Sequence, residues 1–231
     1  MEELILHVVY WSDYACPFCY IGVSILKKAF ETLNTHEKLE IVMKSFELDP
    51  TASRKVVSST PERFAKKYGM TLAQASARIE SISEMGREAG LNFRYATTQY
   101  TSTLDAHRLT KLAQDKYGND TAEKLSMNLY DAYFTRNLEL SDRDVLIREG
   151  VSAGLSEADI VSVLDGDMYE SEVRNDEREA YSRGIHSVPF FVIGGKYHIS
   201  GAQPLEAMTE ILRKGLDAPA MSCGIDGCKL S

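Results

Sequence analysis

Two cysteines three positions apart, Cys16 and Cys19, are the residues of this chain whose type and spacing most directly imply chemistry. A C-x-x-C pair has two serious uses: a redox couple that cycles between dithiol and disulfide, or half of a tetrahedral zinc site. A second pair, Cys223 and Cys228, lies near the other end. It could complete such a zinc site, form a flexible disulfide that exchanges with the first pair, or be two thiols of no consequence. Gly224 and Gly227 between these two cysteines make a small ring accessible. Four cysteines are too few for a disulfide scaffold, so their spacing matters more than their number.

The surrounding elements favour redox chemistry. Leu4 to Trp11 (LILHVVYW) is an apolar run rich in β-branched and aromatic residues, which predicts a strand buried on both faces. From Pro17 onward Gly22, Ile25, Leu26, Ala29, Phe30 and Leu33 keep helical spacing, which predicts a helix starting near Cys16 with proline in its first turn. A sulfur at a helix mouth faces unpaired N–H groups and the positive end of the dipole, both of which favour thiolate. Cys16 is therefore expected to attack. Cys19, one turn into the helix and more sheltered, is expected to resolve. The intervening Pro17 and Phe18 add no charge. Zinc knuckles prefer turn-rich flanks, whereas this pair sits between a strand and a strong helix.

Leu39 to Phe46 reads as a second strand, and strand, helix, strand with short joints predicts a right-handed parallel unit. From Thr60 to Arg183 the pattern is helix after helix. Thr60-Pro61 opens one that Gly69 closes, Thr71 and Gln74 make a capping box for one ending near Gly90, and another spans Ser102 to Tyr117. Asp120 with Glu123 starts the next, Ser141 and Ser156 are expected N-caps, and a charged helix covers Met168 to Arg183. A hairpin follows, Pro189 to Ile193 turning at Gly194-Gly195 into Lys196 to Ile199, and then a last helix from Pro204 closed by Gly215. This order predicts an α/β sheet with an all-helical domain inserted in its middle: 1–56 and 185–216 for the sheet domain, 57–184 for the insertion, 217–231 for a tail.

At roughly 150 residues per domain, a length of 231 suits one domain with a large insertion. Apolar residues at 44% and charged residues at 26% fit a folded, water-soluble protein and argue against disorder or collagen. Lys and Arg number 26 against 34 Asp and Glu, and a net charge of −8 repels nucleic acid and anionic membrane. No run approaches the roughly 18 apolar residues of a membrane span, and Met1-Glu2-Glu3-Leu4 lacks a secretory leader's basic start, so a cytoplasmic location is expected.

Three segments together resemble the thioredoxin superfamily, in particular its DsbA-like branch and the FrnE-like proteins. They are Ser12-Asp13-Tyr14-Ala15-Cys16-Pro17-Phe18-Cys19-Tyr20-Ile21-Gly22, Ala106-His107-Arg108-Leu109, and Ser187 to Ile193 continuing through Ser200 to Pro204. The resemblance covers nearly the whole chain. It implies an α/β, thioredoxin-like fold with an inserted all-helical domain and a thiol–disulfide oxidoreductase that needs no metal or organic cofactor. Its partners would be protein or peptide disulfides and thiols, with glutathione a further candidate, in a monomer or a homodimer. Val188-Pro189 would be the cis-proline turn facing the cysteines, its backbone pairing with a bound segment beside Pro17 and Phe18. Cys223 and Cys228 would be an auxiliary redox pair, as in some FrnE-like proteins.

Two positions depart from the family pattern. Tyr10 stands where many thioredoxin-like proteins bury a carboxylate, leaving Asp13 as the nearest substitute; it reads either as a proton relay or as a turn residue bonded to local backbone. Phe18 stands where relatives carry Trp or His. The main alternative activity is that of glutathione-dependent isomerases and transferases of the kappa and hydroxychromene-carboxylate type, which share the architecture but use a single serine or cysteine. Other polar and aromatic residues read more blandly. His107 and Arg108 read as helix-face core residues, His186 as an exposed loop histidine, and Tyr95, Tyr100, Tyr130 and Tyr133 as core or cleft lining. The acidic run Glu170 to Glu179 reads as a solvated face.

Overall fold

Strand β1 (Ile5–Ser12), helix α1 (Pro17–Thr32) and strand β2 (Lys38–Ser45) form the expected unit, with β1 and β2 parallel from Ile5 opposite Lys38 to Ser12 opposite Ser45. The structure is a computed structural model and describes residues 5–217; Cys223 and Cys228 lie outside the described residues. The hairpin joins this unit on the other side of β1. Strand β3 (Phe190–Ile193) runs antiparallel to β1, and β4 (Tyr197–Ser200) antiparallel to β3, giving the order β2-β1-β3-β4. An interior strand of this mixed sheet, β1 buries Leu6, Val8, Tyr10 and Trp11, but Ile5 and His7 are exposed and Val9 half-buried, so its first half is buried on one face and not, as expected, on both.

The last helix, α9 (Leu205–Leu216), packs against α1. Gly215 lies inside it rather than closing it, and a Cβ there would stand 2.7 Å from Ile193 Cγ2. Glycine is what lets α9 approach the sheet this closely.

Seven α-helices lie between β2 and β3: α2 (Thr60–Tyr68), α3 (Leu72–Glu88), α4 (Leu104–Lys116), α5 (Asn119–Phe134), α6 (Arg143–Ala153), α7 (Glu157–Asp165) and α8 (Glu170–Ser182). The arrangement is the thioredoxin-like α/β fold with helices inserted within it. Thr71 and Gln74 form the expected capping box, and Ser156 caps α7. Two caps differ from expectation. Gly118, at φ +84°, precedes α5 and leaves Asp120 within the first turn. Asp142, not Ser141, caps α6 through its bonds from the Asp144 and Val145 amides, while the Ser141 hydroxyl donates to the Arg54 carbonyl.

The acidic run on α8 is not a solvated face throughout. Asp176 and Glu177 are each only 8% exposed. The Ser45 amide donates to Asp176 Oδ2 at 2.8 Å and the Glu47 amide to Glu177 Oε1 at 3.1 Å. Lys111 pairs with Asp176, and Arg174 with Glu177 at 2.9 Å. A charge run gives no sign of this, since the amides it meets lie at the end of β2 and just past it, some 130 positions earlier.

Aromatic stacking joins the inserted helices to α1. Tyr130 stacks on Tyr20 with ring centres 5.2 Å apart, and Phe134 on Tyr20 at 6.0 Å. Tyr130 and Tyr133 are thus core residues.

Candidate active site

The turn leaving β1 is held by its own backbone: the Cys16 amide donates to the Asp13 carbonyl and the Cys19 amide to the Cys16 carbonyl, both at 3.1 Å. Cys16 is the N-cap residue of α1, with extended backbone (φ −89°, ψ 114°), and Pro17 begins the helix. Both cysteines are free thiols; Cys16 is 4% exposed and Cys19 fully buried. Cys16 Sγ lies 3.5 Å from the Val188 carbonyl oxygen and donates to it. The Val188-Pro189 peptide bond is cis. A Cβ on Gly22 would stand 3.1 Å from Pro189 Cγ and 3.3 Å from Phe191 Cζ, so glycine lets α1 close on this turn.

A cleft of about 380 Å³ opens over Cys16, lined by Pro17, Phe18 and Val188 from this turn region and by Arg63, Phe64, Lys67 and Tyr68 of α2. The residues brought together therefore include Cys16, Pro17, Phe18 and Val188, with Pro189 behind them against Gly22. Arg63, Lys67 and Arg78 are cleft residues that the sequence does not single out. The one signal they leave is the pair of basic residues four apart on α2.

Below the cleft, burial pushes the Cys19 thiol well above its ordinary value and the adjacent Cys16 adds to this, against bonds from the Ser12 hydroxyl and the Asp13 backbone. Ser12 and Tyr130 are hydrogen-bonded through their hydroxyls, and Tyr130 in turn bonds Tyr10. Burial pushes the Tyr10 hydroxyl up as well, only partly offset by the bond to Tyr130. At the position where the resemblance implies a buried carboxylate, this chain buries a run of hydroxyls.

Asp13 is buried and its carboxylate is occupied by local and distant donors. The Ala15 amide donates to Oδ1 at 3.1 Å, the Thr103 hydroxyl to Oδ1 at 2.9 Å and the Leu48 amide to Oδ2 at 2.7 Å. His107 Nε2 lies 3.6 Å from Oδ1. Burial alone would raise the carboxyl, but His107 and the Leu48 and Ala15 amides outweigh it and hold it below its ordinary value. A depressed carboxyl stabilises the fold above its unfolded value and loses that contribution as pH falls through the folded one. Asp13→Asn, which leaves an N–H group facing donors, is expected to destabilise the protein by about 1–3 kcal/mol near neutrality. It should also weaken the acid sensitivity of unfolding. Denaturant melts at neutral and acid pH check both; an unchanged midpoint at neutral pH would contradict this account.

His107 is fully buried, and neither ring nitrogen has a hydrogen-bond partner. Arg108 is structural: its guanidinium donates to the Met168, Val163 and Gly166 carbonyls and to Asp105. His186 is exposed, lies on the Tyr181 ring and lines the cleft. Tyr95 is the tyrosine of the four that both lies in the core and lines the cleft. Among the described residues no three His, Cys, Asp or Glu side chains converge as a metal cluster.

Residues 7–213 match the DSBA-like thioredoxin domain family. A crystal structure of a probable DsbA oxidoreductase from Streptomyces coelicolor superposes with a TM-score of 0.85 at 34% identity, covering 98% of this chain and 99% of that one. The cytosolic disulfide reductase DsbM from Pseudomonas aeruginosa, solved with GSH, shares the fold at a TM-score of 0.62 and 15% identity, over 93% of this chain and 100% of that one. The Bacillus subtilis protein YwbO is 26% identical over 194 residues, 82% of this chain and 87% of its own. With the family match spanning nearly all of the described residues, the chain belongs to the DSBA-like thioredoxin domain family and is an oxidoreductase of the DsbA type.

Proposed function

We propose that this protein exchanges disulfides with protein, peptide or small thiol partners in the cytoplasm, with Cys16 as the attacking sulfur and Cys19 as the resolving one. The observation that carries the reading is the layering of the pair. Cys16 sits at the helix mouth under an open cleft, and Cys19 lies one turn deeper, fully buried. Attack by the Cys16 thiolate on a substrate disulfide forms a mixed disulfide and releases one substrate thiol. The Cys19 thiolate then attacks Cys16 Sγ, forming the internal disulfide and releasing the second thiol.

Val188 and Pro189, with Pro17 and Phe18, shape the groove for the bound segment, and the Val188 carbonyl accepts from the reacting sulfur. Asp13 positions the turn rather than relaying protons, because three donors already use its carboxylate and its depressed value makes it a poor base. Cys223 and Cys228 act as a second exchange pair. The cytoplasmic assignment draws support from the cytosolic relative DsbM. Two sulfurs in series suit exchange better than the single-residue chemistry of the isomerase type.

Peptide-level thiol mapping across a glutathione redox series, without chelator, tests the proposal. The expected result is a Cys16–Cys19 disulfide that forms and breaks reversibly at one defined potential, with Cys223 and Cys228 following it. Four sulfurs that stay unreactive until metal is stripped would replace it with a zinc-binding protein.

A further inference from the structure

The cleft over Cys16 is charged in the opposite sense to the molecule around it. The chain carries a net charge of −8, yet the cleft lining includes Arg63, Lys67, Arg78 and His186 and no Asp or Glu. Arg63 and Lys67 stand one turn apart on α2, a like-charge arrangement that weakens an isolated helix by a few tenths of a kcal/mol. No acid answers them: among the described residues, none of Arg63, Lys67 and Arg78 has a carboxylate within ion-pair distance. Arg63 is the clearest case. Its Nε and Nη2 atoms are buried without a hydrogen-bond partner, while its guanidinium lies 3.8 Å from the centre of the Tyr100 ring. Leaving buried charged donors unmet is costly, and because the Arg63 side chain also lines the cleft, a turn of its guanidinium away from the Tyr100 ring is what would bring these donors to an acceptor arriving there. A volume near 380 Å³ falls at the small-molecule end of ligand sites rather than in the range of a long peptide groove.

We propose that this cleft takes a low-molecular-weight thiol, or its disulfide, that carries carboxylates: sulfur at Cys16, one carboxylate in the fork of Arg63, Lys67 and Arg78 at the rim. A planar guanidinium with two free N–H groups matches a carboxylate in the bidentate manner. The assignment rests on Cys16 being the attacking thiol. The exchange balances without another reactant: one small disulfide and the Cys16–Cys19 dithiol give two small thiols and the Cys16–Cys19 disulfide. The protein loses two electrons and two protons, which the two product thiols take up. Relative potentials set the direction.

The test mixes reduced full-length protein with glutathione disulfide, with its tetraethyl ester and with neutral bis(2-hydroxyethyl) disulfide, and follows Cys16–Cys19 closure by mass. Glutathione disulfide should outpace its ester by about tenfold or more at low salt, the advantage shrinking as salt screens the cleft. The ratio should fall toward one in Arg63→Gln. It should also fall in the Lys67→Glu/Arg78→Glu double variant, whose positions are exposed and whose folding is therefore secure. Equal rates for the two probes, or a ratio unmoved in the double variant, would overturn the proposal. A long acidic peptide disulfide that outpaces glutathione disulfide would overturn the small-molecule assignment. If the neutral disulfide leaves Cys16 and Cys19 reduced, the failure lies deeper, with Cys16 as the attacking thiol.

Discussion

Cys16→Ser is expected to lower disulfide exchange to the uncatalysed background, a loss of roughly 10³-fold or more, on the scale that removing a nucleophile produces. The fold should survive, for a local reason. Cys16 is the N-cap residue of α1 and makes no side-chain capping bond, whereas a serine oxygen at that position can accept from the first turn of the helix. Stability should therefore stay within about 1 kcal/mol of the parent or rise slightly. Turnover with a fluorogenic disulfide and a denaturant melt, run on the same preparation, separate the two effects. Full activity in a folded Cys16→Ser protein would mean that another sulfur attacks. A melt shifted far downward would mean that the thiol carries structure as well as chemistry.

Cys19→Ala should have a different phenotype: a stable covalent adduct between Cys16 and the substrate thiol, approaching one per protein. The buried position of Cys19 makes it the only described sulfur placed to release such an adduct, and alanine cannot. Intact mass after brief exposure to a disulfide reads the adduct directly, and its loss on adding reductant confirms the bond type. In the parent protein the release step should quicken as pH rises, because burial holds the Cys19 thiol up and the attacking thiolate becomes more abundant only toward that raised value. A release rate independent of pH, or an adduct no more abundant in Cys19→Ala than in the parent, would remove Cys19 from the mechanism.

Much of this arrangement was legible in the sequence because it is local. The apolar run before the cysteines, the helical spacing after them and the proline at the first helical position share one short segment, and each maps onto β1, α1 and the N-cap. The capping box at Thr71 and Gln74 was readable for the same reason: its hydrogen bonds span three residues. Long-range pairings were not readable. Asp176 and Glu177 look like any exposed acids until β2 is laid beside them. The cleft cations sit on α2 and α3, 47 or more positions beyond Cys16 in the numbering, and nothing in their spacing says that they face it. Asp13 lay between: its contact with Ala15 is a local turn, but its contacts with Leu48, Thr103 and His107 depend on the packing of the helical block against the sheet.

The carboxylates of α8 have a consequence for the protein's solubility. β2 is an outermost strand of the sheet, and an outermost strand is where a second polypeptide can add itself by backbone pairing. The Ser45 amide at the end of β2, and the Glu47 amide just past it, are taken by Asp176 and Glu177, with Lys44 and Lys111 holding the Asp176 carboxylate in place. A partially unfolded chain that collides with this margin meets amides already occupied and a lattice of charge, so that end of the sheet gives no template for self-association.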